Sequence, residues 1–139
     1  MIPETDRAYI AGLFDGEGNV YYKQTMKKRG NKKAYPTWNI QLEVSMTEEP
    51  IIRWLHEILG VGSVGKKPPH KTSMGKKMQW RWRCSFRDAF YVCCLIWPWT
   101  HVKLPEIQKI IQHYSERKLK IMNNKVVDLK EYKQLMSLE

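Results

Sequence analysis

The sequence contains few cysteines, few histidines and no long apolar run, and each shortage excludes a class of protein. Its cysteines are Cys84 and the adjacent pair Cys93 and Cys94, an odd set that suits neither a disulfide framework nor a C-x-x-C zinc site. We expect these thiols to be buried among apolar side chains. The four histidines are scattered without metal-ligand spacing, which disfavours a zinc site. The apolar run at residues 92–97 is too short to cross a bilayer.

The N-terminus also lacks the basic start and apolar stretch of a signal peptide. We therefore expect a soluble protein inside the cell, in the cytoplasm or nucleoid, or in an organelle if its gene is organellar. A length of 139 residues suits one hydrophobic core but not two, and the sequence shows no linker or internal repeat. Residues 1–139 are predicted to form a single domain without membrane association.

Acidic residues are also in deficit. Lysine and arginine total 24 against 14 acidic residues, which gives a formal net charge of +10. A surplus of this size attracts polyanions and predicts salt-sensitive binding to nucleic acid. Many basic proteins never bind nucleic acid, so the distribution of the charge matters more than its total.

Hydrophobic periodicity and turn residues divide the chain into helices and strands in the order α-β-β-α-β-β-α-α. Thr47 is a candidate cap for the second helix, which is expected to end at Gly60, and Ser85 begins a capping-box pattern for the third. Helices are predicted at residues 3–15, 47–60, 85–98 and from 105 onward, with a last amphipathic segment at 126–138. Strands are predicted at residues 19–29, 35–46, 63–67 and 78–86.

The second predicted strand alternates clearly, with Trp38, Ile40, Leu42 and Val44 on one face and polar residues on the other. Two antiparallel hairpins, each followed by a helix, predict an α+β fold with one four-stranded antiparallel sheet and helices on one face. The helices should cover the apolar face. The opposite face is polar and basic, and it is left to contact water or a ligand.

The end of the first helix and the turn after it contain the most informative segment, residues 10–18, Ile-Ala-Gly-Leu-Phe-Asp-Gly-Glu-Gly. Asp15 and Glu17 lie at a helix C-terminus, where a carboxylate is disfavoured by about 0.3–1 kcal/mol. A hard divalent cation would turn these carboxylates into ligands. The simpler interpretation is an Asp-Gly turn that leads into a strand. A calcium loop is excluded because Val20 and Met26 occupy positions that require glycine and glutamate.

This segment closely resembles the nonapeptide of the LAGLIDADG homing endonucleases, and the predicted order of elements resembles that family's fold. The resemblance covers nearly the whole chain. A single motif implies a homodimer in this family, whereas double-motif members are about twice as long. By analogy, small residues let two copies of the first helix pack closely across a two-fold axis. The residues expected at that dimer interface are Ala8, Ala11, Gly12 and Asp15.

The resemblance also implies a catalytic centre. Glu17 corresponds to the family's metal ligand, and the carbonyl of Gly16 corresponds to a further ligand. The implied cofactor is Mg²⁺, and the resemblance implies that Mn²⁺ or Ca²⁺ substitutes for it in binding. The segment Trp97-Pro-Trp-Thr-His-Val-Lys103 resembles the family segment that ends in an active-site lysine, so Lys103 is the second catalytic candidate. The family's polar residue late in the second strand aligns with Ser45 or with Met46, and the sequence does not decide between them.

The polar face of the predicted sheet carries the residue types that read base edges in the major groove of double-stranded DNA. The candidates for DNA binding are Tyr21, Lys23, Thr25, Lys27, Arg29, Asn39, Gln41, Glu43, Lys67, Arg81 and Arg83. A bulge in the last strand would instead turn Trp80 and Trp82 toward this face. The basic run at residues 27–33 is expected to contact phosphates.

Strand length and symmetry predict the target. A strand of about 10 residues covers about 10 base pairs, so a homodimer would read about 20 base pairs of palindromic or near-palindromic sequence. The resemblance implies cleavage of both strands with short 3′ overhangs. Two alternatives remain open at this point: an intron maturase that binds intron RNA, and a DNA-binding protein of the same fold that does not cleave.

Overall fold

The computed structural model describes residues 1–69 and 77–121, with side chains up to Glu116, so the predicted segment at 126–138 lies outside the described residues. The helices are α1 (Glu4–Glu17), α2 (Glu49–Leu59), α3 (Arg87–Ile96) and α4 (Leu104–Ile121), with a short 3₁₀ turn at Trp97–Trp99. The strands are β1 (Gly18–Lys27), β2 (Tyr35–Met46), β3 (Ser63–Lys67) and β4 (Gln79–Ser85). None of the described helices is long and apolar enough to cross a membrane.

Helix α1 begins after Pro3 and has Glu4 and Asp6 in its first turn, where negative charge stabilises a helix. It continues through Glu17, two residues beyond the predicted end. Gly18 then begins β1 directly, because a Cβ atom at this position would lie 2.7 Å from the Cα atom of Phe14. Only glycine lets the chain pass from helix to strand this tightly, and this junction fixes Glu17 at the border of the sheet.

The four strands form one antiparallel sheet in the order β1-β2-β4-β3. Each hairpin pairs its own two strands, and β2 pairs with β4 to join the hairpins. The α+β architecture predicted from the sequence is therefore confirmed. The strands with central positions, β2 and β4, contribute the buried side chains of the sheet: Ile40, Leu42, Val44, Trp82 and Cys84.

The core lies between this apolar face and the helices. Phe14 of α1 meets Trp82 of β4 edge to face, with ring centroids 5.9 Å apart. The indole N–H of Trp82 donates a hydrogen bond to the carbonyl of Val61 at 3.0 Å, so the buried ring leaves no polar atom unsatisfied. Ile52 and Leu55 of α2 are also completely buried. The predicted apolar face is thus the one that the helices cover.

Two predicted helix caps are wrong in detail. Helix α2 is capped by Glu48 rather than Thr47, although it ends as predicted at Gly60, which adopts the left-handed conformation with φ 70°. Helix α3 is capped by Phe86 rather than Ser85, without a side-chain hydrogen bond. Ser85 is the last residue of β4 and pairs with Gln41, so the sheet rather than the helix determines its conformation.

Candidate active site and nucleic-acid interface

One face of the sheet is left open by the described helices, and the strand pairing determines which side chains it presents. Successive residues of a strand point to opposite faces, and paired residues of neighbouring strands share a face. All odd-numbered strand residues therefore lie on this open face. They include five cationic side chains, those of Lys23, Lys27, Lys67, Arg81 and Arg83, and a single carboxylate, that of Glu43. The open face is thus polar with a net positive charge.

Most residues proposed from the sequence to bind DNA lie on the open face. In order along the chain these are Tyr21, Lys23, Thr25, Lys27, Asn39, Gln41, Glu43, Lys67, Arg81 and Arg83. Arg29 is the exception, since β1 ends at Lys27 and Arg29 lies in the exposed turn that follows. Its carbonyl accepts a hydrogen bond from the N–H of Lys32 at 3.1 Å. The alternation that placed Arg29 on the face therefore does not extend to it.

The register of β4 is regular along its whole pairing with β2. Glu43 is opposite Arg83, and Ser45 is opposite Arg81. Trp80 and Trp82 consequently point to the helices, where Arg53 of α2 lies over the Trp80 ring at 5.2 Å from its centroid. The bulge that would have turned the tryptophans outward is absent from β4, and the two arginines occupy the open face.

Glu43 lies at the centre of the open face, yet its side chain is only 6% exposed. Its Oε1 atom is 3.4 Å from Nε of Arg81 and 3.3 Å from Nη2 of Arg83. The two arginine side chains remain 31% and 41% exposed. The carboxylate is thus covered by its cationic neighbours, and they, rather than Glu43, form the accessible surface.

A threonine pair lies nearer the β1–β2 hairpin. The hydroxyl oxygens of Thr25 and Thr37 are 2.8 Å apart, and the Thr37 hydroxyl also donates to the carbonyl of Thr25 at 3.2 Å. Sequence reasoning proposed Thr25 but missed Thr37, which faces the same surface by the same period-two alternation. Both hydroxyls are exposed and retain lone pairs for a ligand.

Glu17 and Gly16 lie in the last turn of α1, at the edge of the open face, and both are exposed. Glu17 directly precedes Gly18, which pairs with Val44, and Ser45 is the residue of β2 that follows Val44. Ser45 faces the open surface, whereas Met46 packs against the core. The Ser45 hydroxyl is buried and has no hydrogen-bond partner among the described residues. The structure therefore places Ser45, and not Met46, on the face that Glu17 borders.

Asp15 connects α1 to the segment that precedes α4. One carboxylate oxygen accepts a hydrogen bond from the backbone N–H of His101 at 2.9 Å, and the other accepts one from the backbone N–H of Lys103 at 3.0 Å. This contact brings the backbone of Lys103 to the end of α1 that carries Glu17. Two candidates 86 residues apart in the sequence thus come to the same end of one helix.

The residues proposed for a dimer interface divide into two groups. Gly12 is exposed and Ala8 is half-buried, and nothing lies within 4 Å of the place where a Cβ atom of Gly12 would be. Ala11, in contrast, is completely buried in the core of its own chain. The core of its own chain therefore leaves no surface of the Ala11 side chain for a partner. The carboxylate of Asp15 accepts hydrogen bonds from backbone N–H groups of its own chain.

The donor atoms at the end of α1 suit a hard divalent cation. Glu17 provides an exposed carboxylate, and the last turn of a helix has main-chain carbonyls without intrahelical partners. Nothing lies within 4 Å of the Cβ position of Gly16, so approach to its backbone is open. Oxygen donors of this kind are those that Mg²⁺ prefers. Across residues 1–69 and 77–121, no group of three or more His, Cys, Asp or Glu side chains is placed to hold a metal ion.

The three thiols lie on the other side of the sheet. Cys84, Cys93 and Cys94 are all buried, which confirms the prediction of buried apolar thiols. Burial, together with the nearby charge of Asp88, raises the pKa of Cys84 to about 12, and burial raises the pKa of Cys93 well above its ordinary value. Thiols held protonated in this way are poor nucleophiles.

Comparison with family models and with curated proteins finds no match to this chain. Solved structures do match along almost its whole length. The homing endonuclease I-CvuI in complex with its target superposes with a TM-score of 0.61 at 17% identity, covering 96% of this chain and 78% of that one. The archaeal intron-encoded homing endonuclease I-Vdi141I complexed with DNA has a TM-score of 0.55 at 11% identity, covering 97% and 96%.

The chain has the fold of the LAGLIDADG homing endonucleases. A LAGLIDADG meganuclease, I-AabMI bound to uncleaved DNA, matches with a TM-score of 0.53 at 16% identity. That match covers 94% of this chain but only 43% of the meganuclease. The LAGLIDADG fold of this chain therefore corresponds to less than half of I-AabMI and to nearly all of I-Vdi141I.

Proposed function

We propose that this chain is a site-specific DNA endonuclease of the LAGLIDADG type that acts inside the cell as a homodimer, with residues 1–139 forming one domain. The observation that carries the proposal is the continuity between the open face and Glu17. A surface with five cations and several amide and hydroxyl groups ends at an exposed carboxylate, in a fold shared with homing endonucleases. Binding and cleavage of DNA can thus occur on one continuous surface.

The open face suits the major groove. Lysine and arginine side chains recognise guanine, and the amides of Asn39 and Gln41 match adenine. Strand β1 has 10 residues, which at about 3.3 Å per residue spans roughly 33 Å, or about 10 base pairs. The exposed basic turn after β1, which includes Arg29, lies where it would contact phosphates and set the position of the protein on the duplex.

The chemistry belongs to the end of α1. The carboxylate of Glu17 and the carbonyl of Gly16 would hold Mg²⁺, with water and phosphate oxygens as the remaining ligands, and Mn²⁺ or Ca²⁺ would replace it in binding. When bound, the ion activates water and stabilises charge on the leaving oxygen. The ammonium group of Lys103 would stabilise negative charge on the scissile phosphate.

A second copy of the chain supplies what one copy lacks for a double-strand break. One catalytic centre with one Glu17 cleaves one DNA strand, so two copies of the chain related by a two-fold axis are needed to cleave both DNA strands. The exposed side of α1 at Ala8 and Gly12 lets two helices approach closely at that axis. A symmetric dimer would read about 20 base pairs of near-palindromic sequence and leave short 3′ overhangs.

The test is Mg²⁺-dependent cleavage of a library of duplexes with randomised sites. Wild-type protein should select a long near-palindromic site and cut both strands there. Glu17→Gln keeps the size of the side chain and removes the charge, so it should bind the same site and cut at least about 1,000-fold more slowly. The matched control is Glu4→Gln, the same substitution at the opposite end of the same helix, which should cut like wild type.

The outcomes separate the proposal from its alternatives. Cleavage by the wild type that Glu17→Gln abolishes, with site binding retained, supports a nuclease centred on Glu17. Specific binding without cleavage by any variant would indicate a regulator of the same fold. Cutting by Glu17→Gln at the wild-type rate would show that the nuclease centre lies elsewhere.

A further inference from the structure

The centre of the open face contains a buried carboxylate, which is unusual for a surface that faces solvent. Burying a charge is costly unless it is paired, and Glu43 is paired twice, with Arg81 and with Arg83. All three residues lie on adjacent strands of the open face, and β2–β4 pairing sets Glu43 directly opposite Arg83. The sheet therefore fixes the carboxylate between the two guanidinium groups.

The ion pairs with Glu43 restrict the orientation of each arginine side chain. Glu43 uses its Oε1 atom to contact Nε of Arg81 and Nη2 of Arg83. A guanidinium is planar, so a contact through one nitrogen sets the direction in which the others point. The Nε atom of Arg83 is buried and has no hydrogen-bond partner among the described residues, so only its terminal nitrogens are accessible to a ligand. An arginine that reads guanine has to present two donors in one plane, and a fixed orientation favours this.

Resting on the proposed DNA-binding function, we propose that Glu43 is a positioning residue for base recognition: its buried carboxylate orients Arg81 and Arg83 toward base edges and keeps them from phosphates. This assigns Glu43 a different role from the direct DNA contact expected from its sequence position. It also accounts for the presence of a carboxylate on an open face whose other charged strand residues are cationic. The carboxylate lowers general attraction to the backbone and improves discrimination between sequences.

The first experiment compares Glu43→Gln with wild type in binding to the selected site and to an unrelated duplex, over a range of salt concentrations. Freed arginines should bind phosphates, so affinity for the unrelated duplex should rise, and its salt slope should steepen by about 1 for each arginine that gains a phosphate contact. The ratio of specific to unrelated affinity should fall by roughly 10- to 100-fold. The matched control is Glu49→Gln, which removes an ion pair with Arg53 on α2, away from the open face, and should leave both affinities unchanged.

A second experiment tests whether Glu43 acts through the arginines. The double variant Arg81→Gln with Arg83→Gln lacks the two guanidinium groups that Glu43 positions. Adding Glu43→Gln to this double variant should therefore cause no further loss of specificity. Glu43→Asp keeps the charge on a shorter side chain and should give an intermediate loss. This variant keeps the hypothesis testable if Glu43→Gln folds poorly.

Two results would overturn the proposal. If Glu43 contacts a base directly, its substitution changes the preference at one base pair and still does so in the double-arginine background. If Glu43 is only structural, Glu43→Gln lowers the free energy of unfolding but leaves the affinity ratio and the salt slope as in wild type. Failure of the wild type to distinguish any duplex would instead reject the proposed function itself.

Discussion

Asp15 holds Lys103 to the end of α1 through the main chain, with its carboxylate 3.0 Å from the Lys103 backbone nitrogen and 2.9 Å from that of His101. Hydrogen bonds to a charged acceptor are about twice as strong as neutral ones. The segment that contains Lys103 is therefore held at Asp15, which lies two residues before Glu17 in the chain. Asp15 belongs to the same motif as Glu17, and its carboxylate accepts hydrogen bonds from the backbone of its own chain.

Removal of this carboxylate should slow cleavage more than it weakens DNA binding. Asp15→Ala leaves two N–H groups without their acceptor and releases the Lys103 segment, and a displacement of about 1 Å can cost roughly 100-fold in rate. We expect cleavage to fall about 10- to 100-fold, with site affinity within about threefold of wild type. Asp15→Asn keeps one carbonyl acceptor and should give an intermediate rate.

Amide hydrogen exchange provides a readout that does not depend on activity. The N–H groups of His101 and Lys103 should exchange slowly in wild type and faster in Asp15→Ala. Equal exchange in the two proteins would show that the carboxylate does not hold this segment. Faster exchange with an unchanged cleavage rate would limit Asp15 to a role in stability.

Bulk at Gly12 should prevent dimer formation without unfolding the chain. Gly12 has open space around it within the chain, so Gly12→Leu meets no neighbour there and improves helix propensity by about 1 kcal/mol. If α1 packs against a second copy, the added side chain separates the helices. We expect the protein to become monomeric in sedimentation on the selected site and to lose double-strand cleavage.

The control for this prediction is Glu57→Leu, which adds the same side chain to an exposed position of α2. It should remain dimeric on DNA and cut like wild type. A Gly12→Leu protein that still dimerises and cuts both strands would place the subunit contact elsewhere.

Much of the fold followed from local patterns in the sequence. Period-two alternation of Trp38, Ile40, Leu42 and Val44 predicted which face of the sheet is buried, and Gly60 predicted the end of α2. These signals are reliable because each depends on neighbouring residues and on one physical preference. The same alternation identified most of the open face, but it failed at Arg29, where the strand had already ended.

What could not be predicted depends on contacts between distant residues. The Asp15 contact with Lys103 spans 88 positions, and no local pattern indicates it. Glu43 looks like any outward-facing polar residue in its own strand, and only the register of β4 shows that two arginines cover it. Ala11 was assigned to an interface because it is small, whereas its direction from the helix axis puts it in the core.

Phe86 has a strained backbone conformation, and a substitution that relieves the strain should increase stability measurably. It has φ 53° and ψ −123°, a conformation that disfavours a side chain by about 1–3 kcal/mol, and the residue is 54% exposed. Phe86→Gly and Phe86→Ala both lose the ring, so their difference isolates the strain. We expect Phe86→Gly to be more stable than Phe86→Ala by about 1–2 kcal/mol in urea unfolding. At Glu57, inside α2, the order should reverse: Glu57→Ala should be more stable than Glu57→Gly by about 1 kcal/mol. The same order at both positions would contradict the strain.

The buried thiols should make stability fall at high pH. The pKa of Cys84 is raised to about 12, mainly by burial and secondly by Asp88, and burial also raises the pKa of Cys93. The native state keeps these thiols protonated at a pH where the unfolded chain ionises them. Their contribution to stability is therefore complete below the ordinary thiol pKa near 9 and is lost as pH rises toward 12.

Two measurements check this. A thiol reagent at pH 8 should label Cys84 and Cys93 at least about 100-fold more slowly in the native protein than in guanidinium, because labelling requires opening of the core. The midpoint of urea unfolding should fall between pH 9 and pH 11, and Cys84→Ala should flatten that decline while it lowers stability at pH 7, because it leaves a cavity. Rapid labelling of both thiols in the native state would mean that the sheet and α3 do not close over them.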